Sequence, residues 1–354
     1  MYLDWLRKQC TYYWTRFLKD TAPILKVSIT FLINLSISEG IVPDELKMAK
    51  VKPLSFKKND RLKAENYRPV NIQNVLSIVS KVLEKAVYKQ LEKFLTSNNL
   101  MYEFQSGFRS SYSTDSCLIH LIDHIKSQTA KGLFTGMVLL DLQKAFDTVD
   151  HNILGEKLKV IGVESVSWFK SYLTNRKQIV SINGVDSDRC NVTCGVPQGS
   201  LLGPLLFLIY VNNMQIDIES DCKVLLYADD TAILFSDKNT RVISQKLSGM
   251  LKSCHEWLVD NKLSLHLGKT ESIIFGPKRR LEKLSLQDIK ISCNGIHIEA
   301  KSSVKYLGIM IDQFLSGDLI VSSIIKKVNQ RLTFLYRNKN CLSLCSTLIQ
   351  CHFD

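Results

Sequence analysis

A chain of 354 residues with 45% hydrophobic content is long enough for two or three subdomains around a sizeable core, which excludes extended disorder. Its 46 Lys and Arg against 34 Asp and Glu leave a net charge of +12, which points to a polyanionic partner, nucleic acid ahead of a membrane surface. The ten cysteines show no CxxC pair and no secretory signal precedes them, so they read as reduced thiols of an intracellular protein, with nucleus and cytoplasm equally open. The group Cys341, Cys345, Cys351 and His352 has the spacing of no standard zinc site. Pro204 to Val211 is the longest apolar run and is far short of a bilayer span, so no membrane partner is expected.

Residues 1–40 read as mainly helical, with Ile24, Val27, Phe31 and Leu35 at near-helical spacing and Gly40 as a stop. A short strand from Met48 to Leu54 leads into a basic loop (Lys57, Lys58, Arg61, Lys63) that ends at Asn66-Tyr67-Arg68-Pro69-Val70. In isolation that loop is a solvated turn; with a phosphate site nearby it becomes a clamp. Val75 to Leu95 keeps one helical apolar stripe and is assigned no chemistry. After Phe104-Gln105-Ser106-Gly107-Phe108-Arg109, Ser113-Thr114 opens a helix running through Ile125.

Met137 to Asp141 is a buried strand that ends abruptly in an acid, costly unless a cation or hydrogen-bond donor meets it. Asp150 caps a helix carrying Ile153, Leu154, Leu158 and Ile161 inward before Gly162. A short helix over 165–175 follows, then strands at Gln178–Asn183 and Cys190–Cys194 around Gly184. Gly195 to Ser200 is a turn, and Leu201 to Asn212 an apolar helix. Val224 to Phe235 reads as a tight hairpin with Tyr227-Ala228-Asp229-Asp230 at its tip, an unfavourable turn sequence bearing two adjacent like charges. Thr240 caps a long helix with Ile243, Leu247, Leu251, Cys254 and Leu258 on one face. Leu263–Gly276, Ile289–Ile298 and Val304–Ile311 each read as one strand, and Leu319–Tyr336 as a basic helix. The order suggests a split β-α-β sheet that sets the end of the Asp141 strand beside the hairpin tip.

Two carboxylates on a hairpin and one on a neighbouring strand suit two Mg²⁺ ions roughly 3.5–4 Å apart, the arrangement for in-line displacement at phosphorus. The oxygen-only donors favour Mg²⁺, with Mn²⁺ as a substitute, over zinc.

Three segments are similar to motifs A, B and C of reverse transcriptases of non-LTR (LINE-type, Jockey-like) retrotransposons. They are Leu139 to His151, Gly195 to Ser200 with its continuation through Phe207, and Tyr227 to Asp230. Asn66–Val70 resembles the upstream fingers motif, Leu267–Thr270 motif D, and Val304–Ile311 the motif E primer grip, all in family order. The resemblance implies an α+β right-hand polymerase with a ferredoxin-like palm. Its expected division is a fingers region over 1–130 (residues 1–17 matching poorly), a palm over 131–312 and a partial helical thumb over 313–354.

It further implies that Asp141, Asp229 and Asp230 are catalytic metal ligands, with the Leu142 carbonyl beside them and Lys269 as proton donor to pyrophosphate. Lys57 (or Lys58) and Arg68 are implied as a triphosphate clamp, Phe146 as the wall that rejects a 2′-OH, and Gln198 and Gly199 as the nucleotide-facing part of motif B. Tyr227, Tyr306, Leu307 and Gly308 are implied to face primer and template. Asp147 is left a structural hydrogen-bonding role. The expected activity is RNA-directed DNA polymerisation from a DNA primer and deoxynucleoside triphosphates on an RNA template. Endonuclease and the rest of the thumb are expected on a longer parent polypeptide. Phe146 weighs against a viral RNA-dependent RNA polymerase, which needs room for the 2′-OH. The reading from another class is a non-catalytic nucleic-acid-binding fragment of a decayed or repurposed element, which would bind template in a salt-dependent way without Mg²⁺-dependent extension.

Overall fold

The computed structural model describes residues 2–55, 67–72, 76–182, 184–214, 222–283 and 289–337, leaving aside the side chains of 2–19, 52–55, 67–72 and 76–78. Lys57, Lys58 and the Cys341–His352 group therefore lie outside the described residues.

The apolar runs that bracket the acids become the centre of one sheet. Strands β3 (Phe134–Leu140), β7 (Lys223–Tyr227), β8 (Asp230–Asp237) and β9 (Glu271–Phe275) lie in the order β9-β3-β8-β7, with the short β12 (Ala300–Lys301) outside β9. Neighbours in the four-strand block are antiparallel. Numbered in chain order, these four strands lie 4-1-3-2, the arrangement of a ferredoxin-like split β-α-β sheet.

Both faces of this sheet are covered, so its strands are apolar at consecutive positions rather than at alternate ones. Val138, Leu140, Val224, Leu226, Ile233 and Ile274 join a core with α4 (His151–Val160), α6 (Leu202–Val211) and α7 (Thr240–Asp260). Met137, Leu225, Ala232, Leu234, Ile273 and Phe275 join a second core with α3 (Thr114–Ala130) and the hairpin of β13 (Ser303–Tyr306) and β14 (Ile309–Asp312).

A second sheet contains β1 (Met48–Ser55), β2 (Tyr67–Ile72), β4 (Arg176–Ile182), β5 (Val185–Asp186) and β6 (Cys190–Val192). β1 runs antiparallel to β2 and parallel to β4. Helix α2 (Leu76–Ser97) packs on α6, and α5 (Val166–Leu173) leads into β4. The remaining elements are α1 (Tyr2–Glu39), α8 (Lys278–Leu281), the hairpin of β10 (Ile291–Cys293) and β11 (Ile296–Ile298), and α9 (Asp318–Arg337).

Several elements differ from the expectations drawn from sequence. Val304–Ile311 is not one strand: the chain reverses at Leu307 (φ +46°) and Gly308 (φ +85°), giving β13 and β14. Only Glu271–Phe275 of the 263–276 run is a strand, since Leu267–Lys269 closes a single 3₁₀ turn, and 289–298 is likewise a hairpin, β10–β11. The cap of α7 is Asn239, whose side chain accepts from the Arg241 N–H at 2.9 Å, and Thr240 is the first helical residue. In α1 the side chains of Ile24, Val27, Phe31 and Leu35 are exposed. Its 20-residue part Asp20–Glu39, with mean hydropathy 1.4, is long and apolar enough to cross a membrane by length and composition alone. Pro204–Val211 falls within the shorter apolar helix Leu202–Val211.

Close packing of α7 on β3 rests on Gly136, where a Cβ would overlap the methyl groups of Ile243 and Leu247. Gly136→Val is expected to destabilise the chain by about 1–3 kcal/mol through overpacking, read as a fall of several degrees in Tm by circular dichroism.

Candidate active site

Strand register places the acids. Leu140 pairs with Thr231 across β3–β8, and Tyr227 pairs with Asp230 across β7–β8. Asp141, the first residue past β3, therefore emerges at the same sheet end as Asp230, and Asp229 sits in the two-residue turn between β7 and β8. The turn concentrates its unfavourable backbone at Ala228, which has φ +58°, while Asp229 stays outside the left-handed region. The sequence reading put that burden on the Asp pair; it falls on the alanine instead.

Asp141 is anchored by its backbone. Its carbonyl accepts from the His266 N–H at 2.8 Å, and the Gln143 N–H donates to Ser264 O at 2.8 Å. The first of these bonds leads straight into the 3₁₀ turn bearing Lys269, whose Nζ lies 3.3 Å from Asp141 Oδ2. This exposed ion pair contributes little to stability, but it sets an ammonium among the acids. A cavity of about 330 Å³ is lined by Asp141, Asp230, Lys269, Lys305, Tyr306 and Leu307, among others.

The carboxyl of Asp230 is pushed up to about 6 by burial and by the negative charges of Asp229 and Asp141. Asp230 thus feels the charges of both other acids. Among the described residues no three His, Cys, Asp or Glu side chains converge tightly enough to hold one ion, so the acids form an open set rather than a closed cage. An all-carboxylate set with one member resisting ionisation is the donor chemistry that a hard divalent cation relieves.

The segment after Asp141 is bonded backbone to backbone to the turn before α6. Val196 N–H donates to Phe146 O and Gly195 N–H to Val149 O, both at 2.8 Å. Gln198 Nε2 donates to Asp147 Oδ1 at 2.6 Å, and the Gly195 carbonyl meets His151 Nε2 at 2.8 Å. Asp147 therefore has the hydrogen-bonding role expected of it, and Asp150 caps α4 while pairing with Lys262 at 2.7 Å. The Phe146 ring stacks on Phe207 with centroids 4.2 Å apart and meets Phe108 edge-on at 6.0 Å. Gly199 has φ +81°, a conformation that side chains disfavour.

Leu142 is buried and bridges Leu265. Tyr227 is half-buried against the second core. Tyr306 is buried with its hydroxyl 3.4 Å from Cys117 Sγ, and Leu307–Gly308 forms the β13–β14 turn beside the cavity. Arg68 lies on β2, paired through its backbone with Leu54, and thus on the second sheet; its side chain is outside the described residues.

Two residues escaped the sequence reading. Glu84 on α2, treated above as a plain packing helix, is buried and accepts from Tyr172 Oη at 2.9 Å and from the Leu201 N–H at 2.8 Å, so it fixes the start of α6. Burial holds its carboxyl above the usual range. Gln105 bonds to the Ala228 turn itself. Neither carried a distinctive signal in the sequence: each is a polar residue with one apolar neighbour (Leu83, Phe104) and one polar neighbour (Lys85, Ser106).

The model of the family described as reverse transcriptase (RNA-dependent DNA polymerase) matches residues 56–311, more than two-thirds of the chain. The chain belongs to the reverse transcriptase family. It is 28% identical over 345 residues to the RNA-directed DNA polymerase from mobile element jockey of Drosophila funebris, covering 93% of this chain and 36% of that protein. It is also 28% identical over 330 residues to a "probable RNA-directed DNA polymerase from transposon BS" of Drosophila melanogaster, covering 89% of this chain and 35% of that one. The chain thus spans about a third of the length of these relatives. Among solved structures, the apo telomerase from Candida tropicalis, truncated from its C-terminal domain, superposes with a TM-score of 0.53 at 13% identity, over 78% of this chain and 55% of that one. The fold is that of a right-hand polymerase.

The raised Asp230 carboxyl makes a pH prediction for this reverse transcriptase domain. Between its ordinary value of 3.8 and about 6, the folded chain holds a proton at Asp230 that the unfolded chain releases, so stability falls as pH rises through that window. Asp230→Asn is expected to raise Tm by roughly 1–3 °C at pH 7.5, a small figure because solvent screens the group, and by much less at pH 4. Thermal melts of both proteins at the two pH values check this; an equal effect at both would remove the electrostatic explanation.

Proposed function

We propose that this domain is the catalytic core of an RNA-directed DNA polymerase, adding deoxynucleotides to a DNA primer 3′-OH along an RNA template. The observation that carries the reading is the β3–β8 register, which brings Asp141 to the Asp229–Asp230 turn with Lys269 beside it. In this reading Asp141, Asp229 and Asp230, with the Leu142 carbonyl, hold two Mg²⁺ ions. Bound there, the ions would make the primer hydroxyl a better nucleophile and neutralise charge on the departing pyrophosphate.

The chain's own groups do the rest. Lys269 keeps an ammonium where a proton can be given to the leaving pyrophosphate. Arg68 and a lysine of the 57–58 pair hold the triphosphate, and Arg gives the bidentate geometry that phosphate oxygens favour. Phe146 is a wall under the sugar, and its stack on Phe207 opposes rotation away from an incoming 2′-OH. Gln198, oriented by Asp147, and Gly199 face nucleotide and template. Tyr227 and the Tyr306–Gly308 turn face the primer end. Lys326, Lys327 and Arg331 on α9 contact the duplex backbone, a contact that weakens with salt.

Primer extension on an RNA template with Mg²⁺ and deoxynucleotides tests this. Asp229→Asn is expected to lose on the order of 100-fold or more in rate while still binding template. Equal extension by the variant and the parent domain would overturn the metal-site assignment. Template binding by both without Mg²⁺-dependent extension would favour a binding-only protein.

Sugar selection gives a separate check. Phe146→Val removes the ring and should raise ribonucleotide use relative to deoxynucleotides by about 10-fold or more, since a steric clash is lost while the hydrogen bonds are kept. Competition between the two nucleotide types in single-turnover extension reads the ratio. An unchanged ratio would mean that Phe146 serves only to pack on Phe207.

A further inference from the structure

The turn that presents Asp229 is built on a residue poorly suited to it. A left-handed backbone costs a non-glycine residue about 1–2 kcal/mol, yet Ala228 holds φ +58°. Beyond the β7–β8 pairing that closes the turn, a restraint comes from outside the hairpin.

It comes from residues 104–107. Gln105 Oε1 accepts two hydrogen bonds at once, from the Ala228 N–H at 3.1 Å and from the Gly107 N–H at 2.8 Å. The same segment bonds to the end of β7 through its backbone. Leu226 N–H donates to Phe104 O at 3.0 Å, and Ser106 N–H donates to Leu226 O at 2.8 Å. Gly107 lies so close that a Cβ there would overlap the Ala228 nitrogen. Behind it, Arg109 Nη1 donates to the carbonyls of Gln105 and Tyr102, each at 3.0 Å. Asn212, at the end of α6, accepts from the Tyr102 N–H at 2.8 Å, tying the clasp to the helix that follows motif B.

The chemistry of the side chain matters as much as its place. Gln105 is 1% exposed, and its Nε2 has no hydrogen-bond partner among the described residues. Such an orphan donor costs about 1–3 kcal/mol. Flipping the amide gives no relief, because an NH₂ would then face two N–H donors. A methionine would leave both N–H groups unpaired. A glutamate would accept both bonds but add a fourth negative charge to a neighbourhood that already holds Asp141, Asp229 and Asp230. A neutral double acceptor meets both demands, at the cost of one idle amine.

We propose that Gln105 is a positioning residue for catalysis: it holds the Ala228 turn so that Asp229 and Asp230 are presented in a fixed orientation. This rests on the reading of those two acids as catalytic ligands. The segment couples the turn to α6, so the acids and the nucleotide-facing motif share one hydrogen-bonded frame.

The test uses the full chain with Gln105→Met, Gln105→Glu and Gly107→Ala. In metal-free protein, hydrogen exchange of the 225–231 segment should rise about 10-fold or more in Gln105→Met and Gly107→Ala, with α7 and β9 unchanged. Gln105→Glu, which keeps the acceptor, should restore protection. In extension assays Gln105→Met should lower kcat about 10-fold or more, with deoxynucleotide KM and primer–template affinity by fluorescence anisotropy unchanged. Parent-like exchange of 225–231 in both Gln105→Met and Gly107→Ala would overturn the anchoring. Increased exchange with unchanged kcat would overturn its catalytic role. Failure of the parent chain itself to extend any primer, with exchange still responding, would remove the polymerase reading and leave only a structural clasp. Should Gln105→Met fail to fold, Gly107→Ala decides alone, since it pries the same contact and leaves the amide in place.

Discussion

Three like charges at one end of one sheet are the constraint on which the rest of the structure depends. The pairing of Leu140 with Thr231 leaves Asp141 no alternative but to emerge beside Asp230. A one-residue slip would turn the apolar positions of β3 to the wrong faces. Both faces are buried here, by two separate cores, so the slip is heavily disfavoured. Hydrophobic packing, which has no interest in the acids, thus fixes where they stand. Their mutual repulsion is tolerated because it acts only at the rim, where the sheet meets solvent.

The repulsion still leaves its mark. Asp230 resists ionisation up to about 6, and Lys269 and Lys305 line the cavity beside the acids. The lysines offset part of that negative charge, and the remaining repulsion among the carboxylates is what a divalent cation would relieve. The backbone bond from His266 to Asp141 then matters for more than stability. It makes the strand end and the Lys269 turn a single piece, so the ammonium keeps its distance from the acids without a strong ion pair.

Much of this was legible in the residues because it is local. Continuous apolar runs marked β3, β7 and β8, the helical stripe marked the buried face of α7, and Asp150 marked the start of α4. The misreadings also have physical causes. The tight turn at Leu307–Gly308 interrupts the apolar pattern of 304–311 for only two residues, so two short antiparallel arms looked like one strand. Leu267–Gly268–Lys269 lies between the apolar Leu263 and Leu265 on one side and the Ile273–Phe275 stretch on the other, but closes on itself through Lys269 N–H to His266 O at 2.9 Å. Asn239 and Thr240 are both good caps, and only the side-chain bond to Arg241 chooses between them. Glu84 and Gln105 were illegible for a different reason. Their partners, Leu201 and Ala228, lie 117 and 123 residues away, and periodicity carries no information over that distance.

The proposed roles also divide by rigidity. The groups assigned to the metals and to proton transfer belong to one backbone-bonded unit, made of β3, β7–β8 and the Lys269 turn. Arg68 belongs through its backbone to the second sheet, joined to the first through α6 and the turn that bonds to Phe146 and Val149. Ligands that must hold an orientation to within a fraction of an ångström are best carried on strands. Groups that must follow a substrate as it enters are best carried elsewhere. The A–B junction is where the two demands meet, and there the chain uses backbone bonds, a short Asp147–Gln198 contact and a stacked pair of phenylalanines. That combination lets a nucleotide-facing surface be built from loops and still be registered against acids fixed by a sheet.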